Sequence, residues 1–273
     1  MLEKRTTSSS PFYQNIRLLP ADKRFAIQTI YGFSRFLFAG LGMGQASISM
    51  ILNELDSFES ELKVAFRTGD SDHPVIGGFI DVATMNTISL ADTLYFTAGV
   101  RWFFEKKQYE SCDALFDYCR HTMSIMTTMM LPILEYSDQA AIQQFTNLGI
   151  AIQLTRILNR MELDSQRGVC YMPQDECDQF NVSIKQFQNK RVTPEFRQLI
   201  KLQVNRAKTY YDKGLSGIGL LNVSTQYAVG SFTKAYQDKL IYLECANYDP
   251  YSQKKLKYRV RRWRLQASRV INR

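Results

Sequence analysis

The sequence predicts an all-α protein with one domain, in which helices surround a central cavity or core. Apolar residues recur at three- and four-residue steps along most of the chain, as they do on the buried face of a helix. No segment shows a convincing alternation of apolar and polar residues, the pattern of a half-buried strand. With 273 residues, 45% of them hydrophobic, the chain has enough apolar material for a large core. We therefore expect residues 1–273 to form a single domain.

Start and stop signals divide the chain into ten predicted helices. Ser8–Ser10 and Pro11 begin the first helix, Pro20 separates it from the second, and the glycine-rich run Gly40–Gly44 follows the second. The predicted helices are Phe12–Leu18, Ala21–Leu37, Ala46–Phe66, Val75–Asn86, Leu90–Lys107, Cys112–Ile133, Gln139–Leu163, Pro194–Gly214, Gly219–Ala246 and Gln253–Ile271. Asp70–His73 and Tyr248–Pro250 are predicted turns.

Composition favours a cytoplasmic protein. No apolar run is long enough to cross a bilayer, and the opening MLEKRTTSSS lacks the apolar stretch of a signal peptide. The chain has five cysteines, an odd number without zinc-like spacing, which indicates reduced and mostly buried thiols.

The formal net charge of +8 is concentrated at the C-terminal end. Residues 250–273 contain nine Lys or Arg and no acidic residue, whereas charges in the rest of the chain nearly cancel. With Trp263 and Leu265 interleaved among these cations, a helix here could lie on an anionic membrane surface, such as the inner face of the cell membrane. A solvated basic helix end is the alternative, and nothing beyond charge supports nucleic-acid binding.

The segment from Gly149 to Pro173, GIAIQLTRILNRMELDSQRGVCYMP, carries most of the functional information. Its apolar residues follow helical spacing, and its polar residues form a second stripe along the same helix. The stripe consists of Gln153, Arg156, Arg160 and Asp164. Their side chains can meet a common ligand because residues three and four apart are neighbours on a helix. Gly168 and Pro173 then end the periodicity, so the helix should stop near Gln166.

This segment resembles the second aspartate-rich region of the squalene/phytoene synthase family, QLTNILRDVxEDxxRGRxYLP, and is similar to the bacterial dehydrosqualene synthases in particular. The matching residues are Gln153, Leu154, Thr155, Ile157, Leu158, Asp164, Arg167, Gly168, Tyr171 and Pro173. Three further segments resemble the family: SPFYQNIRLLPADKRFAIQTIYGFSR, ESCDALFDYC, and AYQDKLIYLECANYDPY, the last matching a closing helix written AYRxILDxxRxxGYD. The resemblance covers roughly residues 8–264.

The resemblance implies an isoprenoid-synthase-type helical bundle around a central cavity. Members of the family join two prenyl diphosphates, such as farnesyl diphosphate, head to head. Magnesium ions held between two carboxylate clusters neutralise the leaving diphosphate.

The resemblance also implies roles for individual residues. Tyr118, Tyr171 and Tyr236 would flank the reaction centre, and Asp164 would be a metal ligand. Arg35, Gln153 and Arg167 would contact diphosphate, and Arg156 and Arg160 are candidates for the same role from their place in the stripe. The prenyl cavity would be lined by Phe12, Tyr31, Phe38, Thr122 and Met126.

The departures from the family pattern concern the metal sites. Phe38, Ala39 and Gly42 stand where the first cluster has three aspartates, and Phe103 replaces a further one. In the second cluster, Arg160 and Leu163 replace acids and Arg156 replaces an asparagine, which leaves Asp164 alone. A single carboxylate holds magnesium poorly, so we expect the family's magnesium to bind weakly or not at all. The residues Ser124–Thr128 replace the small residues of an AGTVG stretch and are expected to narrow the prenyl tunnel.

Three functions remain open from the sequence. The first is an active prenyl transferase in which a cradle of Arg35, Arg156, Arg160 and Arg167 replaces the metal. The second, which the lost carboxylates favour, is a catalytically degenerate member that binds an isoprenoid or anionic lipid, as an assembly protein would. The third is a basic interaction protein whose C-terminal helix carries the function and whose core serves as scaffold.

Overall fold

The computed structural model describes residues 11–41 and 47–252, and almost all of its regular structure is helical. Its helices are α1 (Pro11–Ile16), α2 (Ala21–Ala39), α3 (Ile48–Thr68), α4 (Pro74–Met85), α5 (Leu90–Glu105), α6 (Cys112–Cys119), α7 (Ile125–Met129), α8 (Leu131–Leu134), α9 (Ala140–Gln166), α10 (Gln174–Gln179), α11 (Ile184–Gln188), α12 (Pro194–Leu215) and α13 (Val223–Cys245). A π-helical turn, Arg120–Ser124, joins α6 to α7, and a 3₁₀ turn, Ser216–Leu220, follows α12. The prediction of an all-α fold is confirmed.

Side-chain caps fix several helix starts. The hydroxyls of Ser47, Ser89, Ser111 and Thr193 each accept a hydrogen bond from a backbone N–H in the first turn that follows. Such caps satisfy donors that the helix itself leaves unpaired. The sequence analysis did not predict α10 and α11, which are only six and five residues long and too short to show a clear helical period.

Helix α9 lies at the centre of the bundle. It is 27 residues long, and α12, α13, α7 and the π-helical turn pack against it. Its buried residues include apolar side chains such as Leu154 and Leu158, and also Gln153, Thr155 and Asp164. Because protein surrounds α9 on most sides, its polar side chains need partners inside the bundle or an internal cavity to face.

One pair of short strands interrupts the helical pattern, and the sequence did not predict it. Strand β1 (Gln108–Tyr109) pairs in parallel with β2 (Cys170–Pro173), and the backbone N–H of Cys170 donates to the carbonyl of Lys107 at 2.8 Å. All four residues of β2 are buried, so the strand has no alternation of apolar and polar residues to detect. The pairing fixes the chain after α9 and thereby positions Tyr171.

The predicted helix Cys112–Ile133 is broken in the structure. The π-helical turn lies in its middle, and α8 begins with Leu131 and Pro132 beyond it. Two hydroxyls attach this region to α9: Ser124 Oγ donates to the carbonyl of Thr146, and Thr127 Oγ1 donates to the carbonyl of Phe145, both at 2.8 Å. π-Helical turns often occur at functional sites, and this one brings Thr122 and Met123 to the cavity described below.

Some sequence predictions fall outside the described residues. These are the helix Gln253–Ile271 with nearly all of the basic segment, the start signal Ser8–Ser10, and part of the glycine-rich run. In the part of the chain that the structure describes, no helix is both long enough and apolar enough to span a bilayer.

The close approach of α9 to the π-helical turn depends on Gly149. A Cβ atom on this residue would lie 2.3 Å from the Cα of Ser124 and 2.8 Å from the carbonyl oxygen of Met123. We expect Gly149→Ala to lower the free energy of unfolding by about 1–3 kcal/mol, because backbone must move to admit the methyl group.

Urea unfolding measures this effect, with Gly78→Ala as the matched control. Gly78 lies in the exposed part of α4, and its added Cβ would have no neighbour within 4 Å. We expect this control to gain about 0.5–1 kcal/mol from helix propensity. Equal stabilities of the two variants would show that α9 and the π-helical turn are not in close contact.

Candidate functional site

A cavity of about 520 Å³ lies between α1, α2, the π-helical turn, α9 and α13. This volume falls within the range of roughly 300–1,000 Å³ that is typical of small-molecule sites. Apolar side chains line much of its wall: Phe12, Ile16, Leu19, Ile27, Met123, Met126, Met130, Leu134, Val229 and Phe232. The ring of Phe12 stacks on Tyr31 with centroids 3.8 Å apart and meets Phe232 edge-on at 6.2 Å. This part of the wall suits a hydrocarbon chain.

Four cations line the same cavity: Arg35 from α2, Arg156 and Arg160 from α9, and Lys239 from α13. Arg35 and Arg160 are exposed, whereas Arg156 and Lys239 are half-buried, so the positive charge lies where the cavity meets solvent. Within the described ranges, Arg35, Arg156 and Arg160 form no salt bridge with a carboxylate. Their guanidinium groups are therefore available to an anionic ligand.

Arg156 lies among the aromatic side chains of the site. Burial raises the pKa of the hydroxyls of Tyr118, Tyr171 and Tyr236, and the positive charge of Arg156 acts against this rise in all three. The hydroxyls of Tyr118 and Tyr171 are 3.4 Å apart and their rings stack on each other. The ring of the buried Tyr109 stacks on Tyr171 and is tilted against Tyr118. Since the pKa of Tyr171 rises to about 12, these tyrosines stay neutral near pH 7 and can act as hydrogen-bond donors.

Among the described residues, Asp164 is the one carboxylate on the cavity wall. It is 4% exposed, and burial raises its pKa above the usual value, while the positive charges of Arg160, Arg167 and Arg156 hold that rise back. The Nη1 atom of Arg167 lies 3.8 Å from Oδ1 of Asp164. Arginines therefore already surround this carboxylate.

Two of the positions that the sequence analysis matched to aspartates of the family pattern, Phe38 and Phe103, pack together beside the cavity. The ring of Phe38 meets Phe103 edge-on at 5.1 Å and Phe96 at 5.8 Å. The guanidinium of Arg167 lies over Phe103, 4.2 Å from the ring centroid. Over the described ranges, no three His, Cys, Asp or Glu side chains come close enough to hold a metal ion together. One arginine-flanked carboxylate beside aromatic rings does not fit a magnesium cluster, which needs several hard oxygen ligands.

The structure brings thirteen of the fourteen predicted site residues to this one cavity. They are Phe12, Tyr31, Arg35, Phe38, Tyr118, Thr122, Met126, Gln153, Arg156, Arg160, Asp164, Tyr171 and Tyr236. Arg167 is the exception: it does not line the cavity itself, although its guanidinium lies over Phe103 and 3.8 Å from Asp164, which both do. Their roles in binding or chemistry stay predictions.

Two further differences from the sequence analysis concern the wall. Of the segment Ser124–Thr128, expected to narrow the tunnel, only Met126 lines the cavity, because Ser124 and Thr127 point their hydroxyls at the backbone of α9. The sequence analysis missed Lys239 and Asn159, which also line the cavity. Lys239 follows Tyr236 by three residues, so helical spacing alone could have placed both on one face of α13.

Comparison with known sequences finds relatives that match most of this chain. The sequence model of the family described as squalene/phytoene synthase matches residues 5–268. The phytoene synthase of Arthrospira platensis is 28% identical over 256 residues, covering 89% of this chain and 82% of that protein. A chloroplastic phytoene synthase of an Oncidium hybrid cultivar is 26% identical over 249 residues, covering 89% of this chain and 60% of the relative. The chain thus spans about three fifths of the length of this plant relative.

Two solved structures share the fold. The squalene synthase HpnC from Alicyclobacillus acidocaldarius superposes with a TM-score of 0.81 at 20% identity, covering 90% of this chain and 92% of that one. A dehydrosqualene synthase crystallised with a ligand gives a TM-score of 0.80 at 21% identity, covering 95% of this chain and 93% of that one. At this identity the likeness establishes the all-α isoprenoid synthase fold. Because the family's sequence model extends over nearly the whole chain, this protein belongs to the squalene/phytoene synthase family.

Proposed function

We propose that this member of the family binds an isoprenoid diphosphate of the farnesyl class in its cavity without magnesium, and that it has lost magnesium-dependent head-to-head condensation. One observation carries the proposal: a single cavity combines a cationic mouth with an apolar interior and keeps only one carboxylate on its described wall. A prenyl diphosphate has the same division, with several negative charges at one end and a hydrocarbon chain at the other.

The diphosphate would bind at the arginines. Arg156 and Arg160 are one turn apart on α9, so both guanidinium groups can reach the same phosphate oxygens. Arg35 adds a third guanidinium from α2. Arginine donates paired hydrogen bonds to phosphate in a fixed planar geometry, and such charge-assisted bonds are stronger than neutral ones. Gln153, also on the wall, adds an amide donor.

The apolar wall would hold the prenyl chain. Met123, Met126 and Met130 lie along one side of the cavity, and methionine adapts its shape to irregular ligands. The stacked rings of Phe12 and Tyr31 supply a flat apolar surface on another side of the cavity. Burial of the prenyl chain against these side chains provides affinity that does not depend on the diphosphate end of the ligand.

Binding alone does not break the bond between the prenyl carbon and the diphosphate. Catalysis requires contacts that are stronger in the transition state than in the bound substrate. Arginines that already hold the intact diphosphate stabilise both states, whereas the family's metal clusters concentrate positive charge on the leaving group as it departs. The Phe38–Phe103 contact takes the place of such a cluster. The arrangement therefore favours binding over turnover.

Titration calorimetry with farnesyl diphosphate tests the binding proposal. We expect binding in EDTA, and weaker binding when magnesium is added, because the ion neutralises charge that the arginines attract. Arg156→Met should weaken binding about ten-fold or more, since it removes a charge-assisted contact. Arg67→Met is the matched control, because Arg67 is exposed on α3 away from the cavity, and it should bind as the unmodified protein does. Binding that requires magnesium would contradict the proposal.

Product extraction after incubation with labelled farnesyl diphosphate tests the loss of turnover. We expect no head-to-head product with magnesium or without it. A product formed in EDTA and lost in Arg156→Met would instead support an active enzyme that uses the arginine cradle. A product that depends on magnesium would show that the family's chemistry has been retained.

Asp164 provides a test of the site's electrostatics. Burial raises its pKa in the folded protein, so the charged form is disfavoured there and folding is less favourable once the pH exceeds that pKa. We expect Asp164→Asn to be more stable than the unmodified protein at pH 7, and this advantage to vanish below the usual aspartate pKa. Urea unfolding at pH 3 and pH 7 measures the difference. A variant that is less stable at pH 7 would show that the arginines outweigh burial.

The basic C-terminal segment supports a second proposal, peripheral binding to anionic membrane. Residues 250–273 carry nine cations and no acid, and each cation near an anionic surface contributes about 1 kcal/mol. We expect the full chain to sediment with vesicles rich in phosphatidylserine and not with phosphatidylcholine vesicles. The substitutions Arg261→Gln, Arg262→Gln and Arg264→Gln together should abolish sedimentation. Equal sedimentation with both lipids would contradict the proposal.

A further inference from the structure

We infer that Leu134, the last residue of α8, closes the deep end of the cavity and limits the bound prenyl chain to the length of a farnesyl group. This inference rests on the proposed binding of an isoprenoid diphosphate. It concerns the length of the hydrocarbon chain, which the arginines at the other end of the cavity do not determine.

The helices that line the cavity show in which direction it runs. Arg35 lines it near the C-terminal end of α2, and Ile27 lines it eight residues earlier on the same helix. On α13, Tyr236 and Ala228 are also eight residues apart, and both line the wall. A rise of 1.5 Å per residue separates the two members of each pair by about 12 Å. The cavity therefore extends along both helices from the exposed Arg35 toward their N-terminal ends.

Leu134 lies at those N-terminal ends. Its backbone carbonyl accepts a hydrogen bond from Thr225 Oγ1 of α13, and the carbonyl of Ile133 accepts one from Lys23 Nζ of α2, both at 3.1 Å. Thr225 and Lys23 each precede the first cavity-lining residue of their helix by about one turn. The side chain of Leu134 lines the cavity and is only 4% exposed. A buried leucine thus separates this end of the cavity from solvent.

Polar contacts hold this end of α8 in place. Glu135, the next residue, forms a salt bridge with Lys23 at 2.5 Å, and its carbonyl accepts a hydrogen bond from the backbone N–H of Asn222 at 2.8 Å. The side-chain amide of Asn222 also donates to Oε2 of Glu135 at 2.9 Å. A helix of four residues has little stability of its own, so these contacts with α2 and α13 determine where it lies. Leu134 is therefore fixed when a longer chain enters the cavity.

The size of the cavity agrees with a farnesyl chain. Its fifteen carbons occupy about 450 Å³ at roughly 30 Å³ each, the share of one water molecule in the liquid. The twenty carbons of a geranylgeranyl chain occupy about 600 Å³ on the same scale. The cavity measures about 520 Å³, which admits the first chain and not the second.

The length of the cavity leads to the same limit. Arg35 and Lys23 are twelve residues apart on α2, which corresponds to about 18 Å. An extended farnesyl chain measures about 14 Å and a geranylgeranyl chain about 19 Å, at roughly 1.3 Å along the chain for each carbon–carbon bond. The longer chain would have to displace Leu134.

The test is the ratio of the dissociation constants for geranylgeranyl diphosphate and farnesyl diphosphate, measured by calorimetry in EDTA on the full chain. We expect the unmodified protein to bind farnesyl diphosphate about ten-fold more tightly, because the longer chain overpacks the cavity. Leu134→Ala should remove this preference, since it makes room for the fourth isoprene unit. Leu134→Phe should shorten the cavity and move the preference to geranyl diphosphate.

Leu131→Ala is the matched control on the same helix. Leu131 is also buried, at 1% exposure, but its side chain does not line the cavity. The same side-chain atoms are removed from the core, so stability should fall while the preference for farnesyl diphosphate remains. If Leu134→Ala does not fold, as judged by urea unfolding, Leu134→Val makes the same test with a smaller shift in the ratio.

The outcomes separate this inference from the proposed function. An unchanged ratio in Leu134→Ala or Leu134→Val, with normal binding of farnesyl diphosphate, would overturn the role of Leu134 and leave the binding site in place. A shift of equal size in Leu131→Ala would also overturn it, because general loosening of the core would then explain the change. Failure of the unmodified protein to bind any of the three diphosphates would overturn the proposed function as well.

Discussion

The burial of α9 determines where the chemistry of this protein can be. Other helices cover most of this helix, and Gly149 and the π-helical turn bring its middle into close backbone contact with its neighbours. A charged side chain on such a helix is stable only where it reaches solvent, a partner or a cavity. Arg156 and Arg160 meet this condition at the cavity, and Asp164 meets it beside three arginines. The packing of α9 therefore places these three charged side chains together on the wall of one cavity.

The charge on that wall is mostly positive, and our proposal that the protein departs from the family's magnesium-dependent chemistry rests on this. A cluster of carboxylates binds metal ions, and it repels a diphosphate until those metal ions are bound. Guanidinium groups attract the diphosphate directly. Phe38 and Phe103 also pack against each other, so this part of the wall is apolar. This apolar contact beside the arginines is consistent with the metal-free binding that we propose.

The sequence predicted the parts of this arrangement that depend on helical spacing. The stripe from Gln153 to Asp164 lies along the cavity as the three- and four-residue steps require. Helical spacing could not predict β1 and β2, because their pairing joins residues about sixty positions apart in the sequence. It also could not predict the π-helical turn, which depends on contact with α9. A position next to a helix end also does not reveal that the guanidinium of Arg167 packs on Phe103, and the role predicted for this arginine stays a prediction. Lys239 was missed because a lysine on a helix is usually exposed.

The most direct test of the central claim is a crystal structure of the protein grown with magnesium and farnesyl thiodiphosphate, an analogue that ionises very slowly. The account predicts density for the diphosphate between Arg156, Arg160 and Arg35, with hydrogen bonds of about 2.7–2.9 Å and no metal ion bridging it to the protein. Magnesium ions at about 2.0–2.1 Å from both the diphosphate and Asp164 would contradict it.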